Sequence, residues 1–160
     1  MQYRVRRFPG GNRLSENLVG AAFGDYDSYL VFSHFKGHAM AGFGGAIKNI
    51  SIGLGSQEGK SVSDYLDDGE RIVYVSVLNN ISIDCDCDGN PSRPDIHDIG
   101  IVASHDPVAI DQACIALAFA AEGSQFLQNR VNDRNGLHTL EHGEEIGLGS
   151  RTYELVNIDD

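Results

Sequence analysis

The stretch "DIGIVASHDPVAIDQACIALAFAAEG", Asp98 to Gly123, predicts a strand that leads through a short turn into a helix. Its first part is a short apolar run, as is typical of a buried strand. Asp106 is a suitable N-cap, Pro107 suits the first helical position, and Gly123 lies near the far end. The apolar residues after Pro107 recur at intervals of three and four, which predicts a helix packed on a sheet.

The rest of the chain continues this alternation. "SYLVFSHF" and "RIVYVSVLNN" are predicted to be strands buried on both faces, and "RTYELVNI" to be a last edge strand. Helices are predicted in "LSENLVGAAFG", with Ser15 as its cap, from Met40 onward, and in "SQFLQNRV" and "LHTLEHGEEIGLGS". Residues 53–60 and 84–95 are predicted loops. We therefore expect one α/β domain over residues 1–160, with a mainly parallel sheet of four to five strands and helices packed on its faces.

Composition narrows the partners. The formal charge of −11 argues against nucleic acid, and no apolar run is long enough to span a bilayer. The basic start "MQYRVRRFPGG" lacks the apolar core of a secretory signal. Three cysteines, Cys85, Cys87 and Cys114, fit a reducing compartment, with Cys114 expected in the core. These features predict a cytoplasmic protein that binds neither nucleic acid nor a membrane. The partner that we expect is therefore a small-molecule or anionic ligand.

Polar residues follow each of the three predicted inner strands. The first strand leads into His34, Lys36 and His38, the second into Asn79, Asn80 and the "DCDCD" run, and the third into His105 and Asp106. Ligands of parallel sheets bind beyond the carboxyl ends of the strands. If the strands are parallel, the three groups share one rim.

The stretch "GHAMAGFGGAIKN" indicates an anion site on this rim. Gly42, Gly44 and Gly45 fall in the opening turns of the predicted helix, where glycine is unfavourable unless the backbone closely approaches something. A helix start with bare N–H groups, together with Lys36 and Lys48, suits a phosphate or a carboxylate. The alternative is that the glycines allow tight packing and the lysines are solvated.

A metal site is a second hypothesis for the rim. His34, His38, Cys85 and Cys87 form a donor set that suits zinc or iron, although C-x-C is an unusual zinc spacing and cysteines are often only buried apolar residues. His105 is a candidate acid or base or a simple turn residue. Asp111 is interpreted as a surface group, with the alternative that it points back to the rim. His138 and His142 are four residues apart, a spacing that suits a metal, but they are interpreted as groups of a surface helix rich in Glu.

Four blocks of sequence carry a resemblance to a known family: "VFSHFKGHAMAGFGGAIKNISIG", "VLNNISIDCDCDGNP", "DIGIVASHDPVAIDQAC" and "GLHTLEHGEEIGLGSRTYELV". Together they resemble the uncharacterised iron-sulfur-centre protein family, whose shared region is a domain of unknown function, from about Leu14 to the C-terminus. The positions that match the family signature are His34, Lys36, His38, Gly42, Gly44, Gly45, Lys48, Asn49, Cys85, Cys87, Asp106 and Asp111.

The departures from this family are also informative. Some members carry a ferredoxin-like insert, which would enter near Lys60, and this chain has no such cysteines there. No ferredoxin-type cluster is expected, because three cysteines cannot supply four thiolates. The chain resembles the C-terminal half of the family, so we expect a truncated or minimal member with a shortened segment near residues 60–61.

Three functions follow from these expectations. The first is binding of a divalent metal or small cofactor in a redox-associated setting, with His34, His38, Cys85 and Cys87 as ligands. The second is a metal-independent enzyme or binding domain for a phosphorylated or carboxylated metabolite, with His34, Lys36 or His105 as catalytic groups. Its ligand-binding residues would be Lys36, Gly42, Gly44, Gly45, Lys48, Asn49 and Asp106. The third is a structural or docking half that works only with a missing N-terminal portion or with a partner chain, and a homo-oligomer or a redox partner protein would supply such a chain.

Overall fold

The computed structural model describes residues 3–7, 16–53, 71–85, 88–90 and 92–159. Within these residues it contains seven strands, four α-helices and one 3-10 helix at Ala21–Asp25. The strands are β1 (Tyr3–Arg7), β2 (Glu16–Gly20), β3 (Tyr29–His34), β4 (Lys36–His38), β5 (Gly42–Gly44), β6 (Ile72–Leu78) and β7 (Gly100–Ser104). The α-helices are α1 (Ala46–Gly53), α2 (Pro107–Ala120), α3 (Gln125–Asp133) and α4 (His138–Glu145).

The main sheet is mixed and has the order β3-β6-β7. Strands β3 and β6 are parallel, with His34 opposite Val77. Strand β7 is antiparallel to β6, with Ser104 opposite Tyr74. The α/β class is confirmed, but the described sheet has three strands and one parallel pair, and the expected parallel direction of β7 is wrong.

The connection between β6 and β7 explains this direction. A parallel neighbour needs a crossover, usually through a helix, whereas an antiparallel neighbour needs only a return of the chain. The described residues between Leu78 and Gly100 contain no helix. Instead this segment folds back on itself through an isolated antiparallel bridge between Ile81 and Ile96. It therefore brings the chain back along β6 in the opposite direction.

The helices α1 and α2 cover one face of the main sheet. Ile72, Tyr74 and Leu78 of β6 are buried there, together with Ile110 and Cys114 of α2. The core position predicted for Cys114 is confirmed. On the opposite face, Leu30 and Phe32 of β3 are exposed, so the prediction that β3 is buried on both faces is wrong.

Helix α2 begins as its sequence predicts. The Oδ1 atom of Asp106 accepts hydrogen bonds from the N–H groups of Val108 at 2.8 Å and Ala109 at 2.9 Å. Its other oxygen, Oδ2, accepts one from the N–H of Ser150 at 2.7 Å. Asp106 thus caps α2 and also ties the C-terminal segment to the start of that helix.

Local predictions elsewhere have mixed outcomes. The helices predicted in "SQFLQNRV" and "LHTLEHGEEIGLGS" are confirmed as α3 and α4, and Gly147, at φ +73°, follows the end of α4. Residues 16–20 form strand β2 rather than a helix, while Ser15 lies outside the described residues. The edge strand predicted in "RTYELVNI" is wrong, because residues 152–159 contain no strand.

The helix predicted from Met40 begins only at Ala46. Before it, Gly42–Gly44 form β5, which pairs with β4 in a tight hairpin. The left-handed backbone of Gly42, at φ +84°, favours glycine at the start of β5. These glycines therefore belong to a strand, and only Gly45 directly precedes the helix.

Among the described residues, none of the helices is both long and apolar enough to cross a membrane. The loop predicted at residues 84–95 is confirmed where it is described, and residues 54–60 lie outside the described part. That residues 1–160 form a single domain stays a prediction.

Candidate functional site

A cavity of about 310 Å³ lies at the carboxyl end of β3, between the β4–β5 hairpin and α1. It brings together six of the residues that the sequence nominates: His34, Lys36, Gly44, Gly45, Lys48 and Asn49. The lining also includes Ser33, one of the polar residues at the predicted end of the first strand, and Ile52 and Gly53, which the sequence did not indicate. We call this space the lysine cavity.

Two lysines approach the lysine cavity from different elements. A Cβ atom placed on Gly44 would lie 3.3 Å from Cδ of Lys48 and 3.9 Å from Cε of Lys36, so both side chains pass beside this glycine. Burial and the neighbouring charge of Lys48 lower the pKa of Lys36. The described lining contains no Asp or Glu. In a chain with a net charge of −11, this is a local concentration of positive charge.

Asn49 joins α1 to the end of β3. Its Nδ2 donates hydrogen bonds to the carbonyl oxygen of Phe32 at 2.8 Å and to Oγ of Ser33 at 2.9 Å. Ser33 is buried on the helix-covered face of the sheet. The strand end and the first turns of α1 are therefore held in register across the floor of the cavity.

The two histidines of this region are held by separate backbone groups. His34 Nε2 donates to the carbonyl oxygen of Asn79 at 2.7 Å, because a carbonyl can only accept. The lone pair of its neutral ring is therefore on Nδ1. His38 has the same tautomer, since its Nδ1 accepts from the N–H groups of Met40 at 3.3 Å and Ala41 at 3.1 Å.

Positive charges surround His38. Burial lowers its pKa, and the charges of Lys48, Lys36 and Arg130 lower it further. Arg130, on α3, donates to the carbonyl oxygen of Ile83 at 3.3 Å, and its Nη2 lies 3.5 Å from Oδ1 of Asp84. Asp84 offsets the charge of Arg130 and has a lowered pKa, because it accepts a hydrogen bond from Ser92 and lies beside Arg130.

The start of α1 is occupied by a carboxylate of the protein itself. Asp111 Oδ1 accepts from the N–H of Ala46 at 2.7 Å, and Oδ2 accepts from the N–H of Ile47 at 3.0 Å. Its side chain is 0% exposed, so the interpretation of Asp111 as a surface group is wrong. Burial raises its pKa to about 7, although the two N–H bonds act in the opposite direction.

This contact changes the role expected for Gly45. A Cβ atom on Gly45 would lie 2.7 Å from Cγ of Asp111, closer than real side chains come. The backbone therefore approaches Asp111 rather than a ligand, and the N–H groups of Ala46 and Ile47 are not bare. A signal was present in the sequence, since Asp111 is the one charged residue in the run "PVAIDQACIALAFAA".

The polar residues that follow the third predicted strand, His105 and Asp106, lie at the other end of the sheet. Ser104 ends β7 opposite Tyr74, near the start of β6, whereas His34 ends β3 opposite Val77. His105 Nδ1 donates to the carbonyl oxygen of Ile72 at 2.8 Å. The prediction that His105 and Asp106 share a rim with His34 is wrong, because β7 runs antiparallel.

The segment that follows β6 does lie beside the segment that follows β3. The N–H of Gly37 donates to the carbonyl oxygen of Ser82 at 2.8 Å, which places the chain after β6 against β4. Cys85, further along this segment, is nearly buried and takes part in a disulfide. A disulfide sulfur is not a thiolate ligand, so Cys85 can bind a metal only when this disulfide is reduced.

The described residues contain no group of three or more His, Cys, Asp or Glu side chains placed to hold a metal ion. Cys87 lies outside those residues, so the metal set His34, His38, Cys85 and Cys87 stays a prediction. Gly42 has a structural neighbour instead, because a Cβ there would lie 3.1 Å from Cα of Val131.

The histidines of α4 are surface groups, as interpreted from the sequence. His138 Nδ1 lies 3.4 Å from Glu141, and His142 Nδ1 lies 3.6 Å from Glu145. Both also border a second cavity of about 300 Å³ between α4 and α1. They are separate from the lysine cavity, whose lining does not include them.

A comparison of the sequence with models of protein families identifies the family of this chain. The model of a domain of unknown function (DUF362) matches residues 2–116. The chain belongs to this family. The DUF362 match includes every residue of the lysine cavity and most of α2, with Asp111. No curated protein and no solved structure matches the chain. The iron-sulfur association and the placement in a C-terminal half stay predictions.

Proposed function

We propose that this chain binds a small phosphorylated or carboxylated ligand in the lysine cavity. The observation that carries the proposal is the meeting of Lys36 and Lys48 at one cavity, where both side chains pass beside Gly44. Like charges at close range repel, and partial burial strengthens the repulsion because water screens it less. An anion between the two ammonium groups removes this cost and adds charge-assisted hydrogen bonds.

The other lining groups suit such a ligand. Asn49 and Ser33 hold the wall of the cavity in place, and Gly44 leaves room for the two lysine side chains. His34 lines the same space, with Nδ1 as the basic atom of its neutral ring. In an enzymatic version of this function, His34 is the acid or base and Lys36 and Lys48 hold the anionic group.

A metal bound by His34 and His38 has weaker support. The positive charges that lower the pKa of His38 would also repel a divalent cation. The redox-associated metal function therefore depends on Cys85 in its reduced form and on Cys87. Metal analysis of untagged protein purified under reducing conditions, compared with a Cys85→Ser variant, tests that function. Equal metal content in the two proteins would rule out Cys85 as a ligand.

Calorimetric titration with inorganic phosphate, pyrophosphate and succinate, with a chelator present, tests the anion proposal. We expect at least one of them to bind, and Lys36→Met and Lys48→Met each to weaken that binding at least tenfold. The matched control is Arg93→Met, which removes one positive charge from an exposed position outside the cavity. An equal loss in Arg93→Met, or no binding by the wild type, would overturn the proposal.

A further inference from the structure

The face of the main sheet opposite α1 and α2 is largely apolar, and none of the described elements packs on it. The register places Leu30 beside Val73, and Phe32 beside Val75. On the other side of β6, it places Val75 beside Ala103 and Val77 beside Ile101. The same alternation puts His34, at the end of β3 opposite Val77, on this face. We call this surface the open face; its apolar residues are Leu30, Phe32, Val73, Val75, Val77, Ile101 and Ala103.

The open face is large for a surface that meets only water. Leu30 is 67% exposed, Phe32 63% and Ile101 69%, and the three valines between them are half-buried. Together these side chains present on the order of 500 Å² of apolar surface, near the upper end of what a monomer exposes. An uninterrupted patch of this kind marks an interaction surface.

We propose that two copies of this chain associate through their open faces. A two-fold contact brings the same patch of each copy together, so the patch must be complementary to itself. The open face meets this condition because its seven apolar side chains need no polar partner, and the Nε2 atom of His34, at the end of β3, already donates to the carbonyl oxygen of Asn79. Two sheets pack face to face about 10 Å apart with interdigitating side chains, as in a β-sandwich.

The size of the surface agrees with a dimer of modest affinity. Two open faces together bury on the order of 1,000 Å², which is about the lower limit for a specific interface. The net charge of −11 on each copy opposes association at low salt. The same charge disfavours insertion of this face into an anionic membrane surface. The dimer should therefore tighten as the salt concentration rises.

Sedimentation equilibrium of the full chain over a range of concentrations and salt tests the dimer. We expect reversible dimerisation that strengthens from 50 to 500 mM salt, and Phe32→Glu and Ile101→Glu each to raise the dissociation constant at least tenfold. The matched control is Val156→Glu, which adds the same charge at an apolar residue that is 66% exposed and outside the sheet. Circular dichroism shows whether each variant is folded, and Leu30→Ser is a milder replacement if one is not.

Three results would overturn the proposal. The first is a wild type that stays monomeric at several hundred micromolar in high salt. The second is unchanged dimerisation in the folded open-face variants, which would place the contact elsewhere. The third is loss of the dimer when residues 152–160 are deleted, since this would assign the contact to the C-terminal segment. His34 borders both the open face and the lysine cavity. The dimer depends on the apolar side chains and the anion site on Lys36 and Lys48, so each proposal can fail without the other.

Discussion

The backbone of Gly45 lies against the carboxylate of Asp111, where a Cβ atom would be 2.7 Å from Cγ. This contact joins helix α2 to the wall of the lysine cavity, because Gly45 lines that cavity and Asp111 binds the start of α1. A substitution at either residue should therefore affect both folding stability and ligand binding.

Gly45→Ala should lower the free energy of unfolding by about 2 kcal/mol or more, because the new methyl group can be accommodated only by displacing a buried, hydrogen-bonded carboxylate. Urea unfolding measures the effect. Gly89→Ala is the control, since a Cβ there meets nothing within 4 Å. Similar losses in the two variants would show that the Gly45–Asp111 contact is not the cause.

Asp111→Asn should destabilise the protein most at acid pH. Burial raises the pKa of Asp111 from 3.8 to about 7, so the folded protein keeps a proton there that the unfolded chain releases. The stability that this group contributes is thus complete below about pH 4 and is lost as pH rises to about 7. The variant lacks this titration, so its deficit relative to wild type shrinks over that range.

Urea unfolding of both proteins at pH 5, 6, 7 and 8 measures this change. In the variant, the NH2 group of the asparagine faces the N–H of Ala46 or Ile47. Two donors cannot form a hydrogen bond, so this contact lowers the free energy of unfolding by about 1–3 kcal/mol at every pH. A deficit that stays constant across the series would contradict a raised pKa. The charge of Asp111 contributes to raising the pKa values of Tyr74 and Cys114, so these two groups should titrate closer to neutral pH in the variant.

Lys48→Met should raise the pKa of His38. Burial of the ring would still lower the pKa, but the largest of the three charge contributions would be gone. A pH titration of the His38 ring signals by NMR measures the shift, with Arg93→Met as the charge-matched control. Saturating phosphate should move the pKa of His38 in the same direction in the wild type. No movement with Lys48→Met would show that Lys48 does not act on His38.

Asp106→Ala should destabilise the fold without weakening the binding of anions. It removes the acceptor for Val108, Ala109 and Ser150, at a cost of about 2 kcal/mol. Asp106 lies at the end of the sheet opposite His34, so its loss leaves the lysine cavity intact. Thermal unfolding and phosphate titration at a temperature where the variant is folded measure the two effects, with exposed Asp95→Ala as control. A selective loss of phosphate affinity in Asp106→Ala would return this residue to the binding site.

Local chemistry was the predictable part of this fold. The Asp106–Pro107 start of α2 could be read directly, because a cap and a first-turn proline depend on a few neighbouring residues. The direction of β7 depends on how the connection after β6 packs, and the absence of helical periodicity in that connection was the available signal. Met40 was misplaced in a helix because "GFG" pairs with "KGH" across a turn, a choice that the packing on α3 decides.

The site residues show the same difference between features that depend on neighbouring residues and features that depend on long-range packing. Lys36 and Lys48 could be nominated from sequence, since two cations near a strand exit suit an anion wherever the strand ends. The burial of Asp111 was missed because an aspartate on a helix is usually solvated, and its place in an otherwise apolar run was the available signal. The partner that it binds could not be predicted, since that depends on the approach of α1 to α2. His105 was wrongly placed beside His34 because the direction of β7 was predicted wrongly. Its own chemistry played no part in this error.

The hairpin that carries Lys36 rests on α3, where a Cβ on Gly42 would lie 3.1 Å from Cα of Val131. Helix α3 follows residue 116, where the family match stops. Arg130 reaches back to Ile83, and Ser150 is fixed to Asp106. An excised fragment that stops at the family boundary would therefore lose the support behind its own ligand-binding residues, and experiments on this domain should retain the chain through at least Ser150.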